Sequence, residues 1–244
     1  MLGRLFVLAA LCWVTVSAAA APPQPRDESL NQYIDMVLDN LQVLLLENGL
    51  DPAPLPNAST GFSDVILGVE WHGEAWLYDG WLRGLATIYR SDDANFITNP
   101  ETGGVIGFST GIGIGAMQGH YVMLAKFMDL GPVCDVTMDI DGASATFDAA
   151  LNQTSCTFYV SGMNVDRIGH ISVDITGLGL LNWIFEIVVS LVVNVLELFI
   201  RNMIENTMES FINTALDSVD LGILGPILGC SKDVPLQVVY VPRQ

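Results

Sequence analysis

Basic residues are scarce in this chain. Only 9 Lys and Arg stand against 27 Asp and Glu, for a net charge of −18. Nucleic acid and anionic bilayers both call for a basic face, so neither is an expected partner. Charge of either sign is thin: charged residues make up 15% of the chain and hydrophobic ones 51%, which excludes intrinsic disorder. Cysteine is limited to Cys12, Cys134, Cys156 and Cys230, with no CxxC pair. His72, His120 and His170 are far apart and lack HxxxH spacing, so no metal site is expected, and no cofactor. Glycine and proline are absent between about 180 and 217, a stretch far longer than an ordinary helix.

The N-terminus reads as a leader. Arg4 precedes an apolar run from Leu5 to Val16, and Ser17 to Ala21 supply small residues for cleavage. The expectation is a secretory signal peptide over 1–21, a single mature domain over 22–244, and a secreted, extracellular protein. Asn57-Ala58-Ser59 and Asn152-Gln153-Thr154 are glycosylation acceptors in that setting, carried by Asn57 and Asn152. Cys12 leaves with the leader. An oxidising compartment then favours one disulfide among three cysteines. Cys134–Cys156 is the first choice, because both lie in one strand-rich stretch. Hairpins at Asp141-Gly142 and Asn152-Gln153 would, however, hold those thiols ~9–10 Å apart, beyond disulfide reach. Either the register differs or Cys230 takes part.

Residues 29–48 carry Leu30, Tyr33, Ile34, Val37, Leu38, Leu41 and Leu45 at spacings of three and four, the stripe of an amphipathic helix. Ser29 and Gln32 suit a capping box, and Gly49 with Pro52, Pro54 and Pro56 ends the helix. Residues 62–176 read as β. Val136, Met138 and Ile140 alternate with polar neighbours, as do Ile171, Val173 and Ile175. Parity flips at Asp141-Gly142, which predicts a hairpin or bulge within an antiparallel meander. Small residues (Gly107, Gly111, Gly113, Gly115, Ala143 and Ala145) are expected to leave room inside the sheet, with Met117, Met123, Met138 and Met203 as an adaptable lining.

The glycine-free stretch holds the most apolar segment. Fourteen of the eighteen residues in 183–200 are strongly apolar. Asn182, Glu186, Ser190, Asn194, Glu197, Arg201 and Glu205 step by four or three, so the polar groups share one side of a helix. A wide apolar face with a narrow polar seam suits a helix almost enclosed by a sheet, without stable membrane insertion. The alternative is a single membrane span through 183–200. Val238-Val239-Tyr240-Val241 is expected to add a short edge strand.

Two enzyme-like motifs are discounted. Gly107-Phe108-Ser109-Thr110-Gly111 fits G-x-S-x-G, but a nucleophile elbow needs a strand-to-helix turn and strand-like residues follow. Thr137, Asp139, Asp141, Gly142 and Asp148 fall short of a calcium loop, with Thr at the first position and Asp at the last. No catalytic residue is assigned. Trp71, Trp76, Tyr78 and Trp81 form an aromatic stretch suited to sheet-face or core packing.

The order of amphipathic helix, long β region and one very long apolar helix resembles the group 7 dust-mite allergens. Gly73-Glu74-Ala75-Trp76-Leu77, then Arg83-Gly84-Leu85 and Asp93-Ala94-Asn95, look like a segment early in that family's sheet. Gly177 to Phe185 looks like the start of its long helix. That family is similar to the bactericidal/permeability-increasing, juvenile-hormone-binding and takeout proteins. The resemblance implies an α+β fold: a long, strongly curved antiparallel sheet wrapped around one apolar C-terminal helix, with lipids or other apolar molecules bound between helix and sheet. This chain departs in its acidity, which argues against lipopolysaccharide, an anionic ligand.

The resulting expectation is a secreted, non-enzymatic binder of an apolar small molecule such as a lipid, fatty acid, isoprenoid or pigment. The expected lining is Val37, Leu38 and Leu41 from the first helix, Ile114, Met138 and Phe147 from the sheet, and Phe185, Val188, Val192, Leu196, Phe199 and Met203 from the long helix, with Glu186 or Asn194 orienting a headgroup. The competing readings are a structural or interaction glycoprotein with a filled core, and the membrane-anchored protein.

Overall fold

Helix α1 (Glu28–Glu47) forms where the apolar stripe predicts it, and all seven stripe residues are buried. The computed structural model describes residues 28–66, 69–127, 131–222 and 224–229. The leader, Cys12, Cys230 and the segment Val238–Val241 lie outside the described residues. Arg90 holds α1 in place, donating from Nε to Asp35 Oδ1 at 2.9 Å and from Nη2 to Asp35 Oδ2 at 3.1 Å. Asn31 accepts from the Ala94 amide at 2.8 Å, and Gln42 donates to the Ile88 carbonyl at 2.8 Å.

The strands are β1 (Ala53–Pro54), β2 (Ala58–Ile66), β3 (Val69–Arg83), β4 (Ile88–Arg90), β5 (Asn95–Thr98), β6 (Val105–Ile114), β7 (Met117–Phe127), β8 (Val133–Ile140), β9 (Ala143–Asn152), β10 (Thr157–Ile168) and β11 (Ile171–Thr176). They form two antiparallel sheets. The first has the order β1-β3-β7-β8-β11, with β2 also on β3; the second has the order β10-β9-β6-β4, with β5 on β6.

The meander expectation is corrected at one point that reorganises the sheet. Asp141-Gly142 is no hairpin, because β8 and β9 do not pair with each other. It is a bend that carries one chain direction from the first sheet into the second. The same happens between β6 and β7 and between β10 and β11, so three long strands each serve both sheets. Gly142 has φ +115°, and a Cβ there would meet the Ile114 carbonyl oxygen at 2.5 Å, so the bend requires glycine. The bends are tied together: the Asp141 amide donates to the His170 carbonyl at 3.0 Å and the Gly169 amide to the Gly142 carbonyl at 2.7 Å.

This path also decides the cysteines. Cys134 is a free, buried thiol, while Cys156 is disulfide-bonded, so the expected Cys134–Cys156 pairing is wrong. Cys134 is the second residue of β8 in the first sheet, and Cys156 lies in the turn between β9 and β10 in the second. Burial pushes the Cys134 thiol pKa up, with Asp135 adding to the effect.

The C-terminal stretch is a composite helix: a 3-10 turn (Gly179–Ile184), α2 (Phe185–Asn202), a π turn (Met203–Thr207) and α3 (Met208–Ser218), followed by the short α4 (Gly225–Leu228). Its mean hydropathy reaches 1.9, so length and composition alone would allow a membrane span. The sequence reading of a nearly enclosed helix is overstated: 33% of its most apolar window is buried. Ile184, Val188, Val192, Leu196 and Ile200 form the seated face, each 0% exposed. Glu186, Ser190, Asn194, Glu197 and Arg201 face solvent. The two sheets share the helix between them, so each covers one side of one half. α2 reaches β2 and β11, whereas α3 lies along β10 and α1.

β10 is the outer strand of the second sheet and carries two bulges, at Val160/Gly162 and at Val165/Arg167. Helix side chains satisfy the amides freed there. Asn213 Oδ1 accepts from the Val160 amide at 2.8 Å and Glu205 Oε1 from the Val165 amide at 3.2 Å. A bare strand edge is a pairing hazard, and the π turn and α3 cover this one.

Candidate functional site

The interior has two halves of different character. Over the second sheet it is filled with rings. Phe108 meets Phe147 edge-on at 5.5 Å and Phe158 at 4.9 Å, and Tyr33 from α1 lies 5.9 Å from Phe158. Over the first sheet, on which α2 lies, small and flexible side chains form a patch among larger ones such as Leu77, Tyr121 and Val136. Across the strands Ala75 pairs with Ala125 and Thr60 with Ala75, giving a row of short side chains from the β2 edge inward. Leu77, Met123 and Cys134 form the next row. Ala75, Ala125, Met123, Cys134 and Met138 are all buried.

Burial gathers ten of the twelve expected lining residues into one apolar cluster: Val37, Leu38, Leu41, Ile114, Met138, Phe147, Val188, Val192, Leu196 and Met203. Phe199 is half-buried against that cluster. Phe185 is the exception at 38% exposed, because it lies one position past Ile184 and so falls off the face that Ile184, Val188 and Val192 seat on the sheets. The cluster does not form one wall, however. α1 packs on α3, β4 and the 85–87 turn, while α2 packs on β2 and β11. Val37, Leu38, Leu41 and Phe147 therefore belong with the ring-filled half, and Val188, Val192, Leu196 and Met138 with the half beneath α2.

The glycines of β6 do not open the interior as expected. Phe108, Thr110, Ile112 and Ile114 are buried on alternate positions, so Gly107, Gly111 and Gly113 take the opposite face. A Cβ on Gly113 would meet the Tyr89 ring at 2.5 Å, and one on Gly111 would meet the Asp92 carboxylate at 2.4 Å. These glycines make room for the segment that packs across the strand from outside.

An open groove of about 450 Å3 lies where α2 meets the edge of the first sheet, lined by Thr60, Glu186, Ile187, Ser190, Leu191 and Asn194. Thr60 occupies the sheet's inner face with Phe62, whose ring stands edge-on to Trp183 at 5.3 Å. A Cβ on Gly73 would meet that Phe62 ring at 2.2 Å, so Gly73 lets the ring lie across β3. The polar-seam spacing pointed to Glu186 and Asn194. Thr60 had no signal, because only the tertiary path brings β2 to this helix. A second groove, of about 360 Å3, lies over the strand bends and includes Asp51, Arg83, Gln118, Asp139 and Asp141. Arg83 bonds to Gln118, which donates to Asp139 at 3.0 Å.

The motif-like serine has no elbow. Ser109 sits mid-strand in β6, opposite Asn95 and Asp148. Thr137 and Asp139 likewise lie on β8 rather than in a loop. Among the described residues no group of three His, Cys, Asp or Glu side chains converges on a metal position.

The sequence profile of the Group 7 allergen family matches residues 29–216. The chain belongs to the Group 7 allergen family. Its architecture is similar to that in the crystal structure of lipopolysaccharide binding protein, with a TM-score of 0.50 and 16% identity over 78% of this chain. The match covers 38% of that longer protein, so this chain spans just over a third of its length. Takeout 1 from Epiphyas postvittana aligns over 80% of this chain and 94% of its own, at 12% identity and a TM-score of 0.34. No curated protein matches the sequence directly. The stretches that carry the family resemblance have structural tasks here. Asp51 accepts from the amides of Gly84 and Ala86, both at 2.8 Å, and the Asp93-Ala94 corner receives Asn31 of α1. Gly177, at φ +96°, turns the Group 7 chain from β11 into its long helix.

Proposed function

We propose that this Group 7 protein is a secreted, non-enzymatic carrier of an apolar small molecule, held between α2 and the inner face of the first sheet. One observation carries the reading. α2 reaches both outer strands of that sheet, β2 and β11, over a floor of Ala75, Ala125, Cys134 and two methionines, with an open groove at the β2 side. Short and flexible side chains are the ones that give way to a guest. The ring-filled half beside α1 serves as the fixed core. The likeness to the fold of lipopolysaccharide binding protein supports an apolar guest, and the net charge of −18 turns the choice away from polyanionic lipids. The helix seated on the sheets supports a water-soluble form, with Asn57 and Asn152, both exposed, as its glycan acceptors.

The test is ligand capture. Protein secreted from eukaryotic cells is expected to carry a reproducible adduct in native mass spectrometry, removable by organic extraction. The emptied protein should bind straight-chain alcohols with affinity rising roughly tenfold or more per two added carbons, from about 0.8 kcal/mol per buried CH2. Protein that stays empty and shows no chain-length dependence would mean a filled core and a structural role. Protein that remains soluble only in detergent would mean a membrane-bound helix.

A further inference from the structure

The groove between β2 and α2 carries a statement about headgroup chemistry, which rests on the carrier reading above. Of its six lining residues, Glu186 is the only ionisable one, and no basic side chain is among them. Thr60, Ser190 and Asn194 supply hydroxyl and amide groups beside it. The exposed side chains of Glu186, Ser190 and Asn194 make no hydrogen bond or ion pair with another described residue, so a guest would displace only water from them. The nearest cation on the helix, Arg201, is engaged with Glu205 at 3.2 Å. Ile187 and Leu191 line the inner side of the groove, and Leu191 packs against the core. The row Thr60, Ala75, Ala125 leads inward from the same place.

We infer that this groove seats the head of a single-chain amphiphile whose head donates hydrogen bonds and is cationic, a long-chain amine, with the tail directed along the alanine row beneath α2. A carboxylate head would meet Glu186 with no cation among the described residues that line the groove, and like charges at close range repel. An ammonium offers three donors and no acceptor. That matches one carboxylate oxygen pair, one amide oxygen and two hydroxyls. A long-chain alcohol ranks between the two, since it donates one bond without charge.

The experiment holds the tail constant. Dodecylamine, dodecanol and dodecanoate compete with a fluorescent apolar probe at pH 7.4, each below its micelle concentration, on full-length mature protein. The amine is expected to bind roughly tenfold or more tighter than the carboxylate, the scale of one charge-assisted contact in a partly open site. Glu186→Gln should shrink that ratio to within about threefold. Glu209→Gln, which removes one exposed carboxylate from α3, should leave it unchanged and so controls for the protein's general negative field. Asn194→Lys, at an exposed position, should turn the preference toward dodecanoate, and it stands in if the Glu186 variant folds poorly. Equal binding of amine and carboxylate, or an equal response to Glu186→Gln and Glu209→Gln, overturns the headgroup assignment while leaving carriage intact. Failure of all three dodecyl compounds to compete overturns carriage itself, and the headgroup assignment with it.

Discussion

Two leucines on α2 separate a seated helix from a free one. Leu196 is 0% exposed and faces the sheets, while Leu198, two residues on, is 64% exposed. Truncating Leu196 to alanine removes buried methyl and methylene groups and leaves a void, which costs about 2–5 kcal/mol in well-packed cores. The outer side of α2 lies in water, so the helix can settle partly toward the void, and the expected cost is toward the lower end, about 2–3 kcal/mol. Leu198→Ala removes a side chain already in water and should cost under about 0.5 kcal/mol. Urea unfolding followed by tryptophan fluorescence measures both. With a slope of roughly 2–3 kcal/mol per M, Leu196→Ala should lower the midpoint by about 1 M while Leu198→Ala leaves it nearly fixed. The pair differs in orientation and not in residue type or local propensity, so their contrast isolates burial. Equal effects, or a larger one at Leu198, would refute the placement of α2 on the first sheet and revive the membrane reading of 183–200.

Asn213→Ala and Glu205→Ala should each lower stability by about 1–3 kcal/mol, since each strips the partner from a strand amide, whereas Glu205→Gln, which retains an acceptor oxygen, should cost much less. Increased self-association of the alanine variants by light scattering would follow from the uncovered β10 edge; unchanged stability would mean that water serves those amides equally well. Tyr121 donates to the Pro56 carbonyl at 2.7 Å, and burial pushes its pKa from 10.0 up to about 12. Its folded value lies above its unfolded one, so its stabilising contribution is complete below pH 10 and fades as pH rises toward 12. Ultraviolet titration should show a late-ionising tyrosine that Tyr121→Phe removes, and a native protein whose tyrosines all ionise near the ordinary value would contradict this.

Both helices were legible in the sequence because each has its own internal period: the stripe of α1, and the seam from Glu186 to Arg201 that marks the outer side of the long helix. Alternation likewise marked β8 and β11. What alternation cannot report is whether a chain reverses at a parity flip. At Asp141-Gly142 a hairpin and a bend between sheets leave the same trace in the residues, and only the partner strands distinguish them. The cysteine assignment failed because it rested on closeness in sequence, and the bend sends Cys134 and Cys156 to different sheets. The glycines of β6 misled through a second ambiguity, because a residue without a side chain does not say which face it belongs to. Thr60 was invisible as a groove residue. Its neighbours across the groove are all on α2, and no local pattern in β2 anticipates that meeting.

The three strands that pass through both sheets make the halves of this molecule mechanically inseparable. Loosening β7, β8 or β11 pulls on β6, β9 and β10 through the same backbone, across corners only two residues long. A guest that lifts α2 from its floor would therefore be felt in the ring-filled half beside α1. Filling and emptying should register as a breathing of both sheets together, and the unliganded protein should melt in one step.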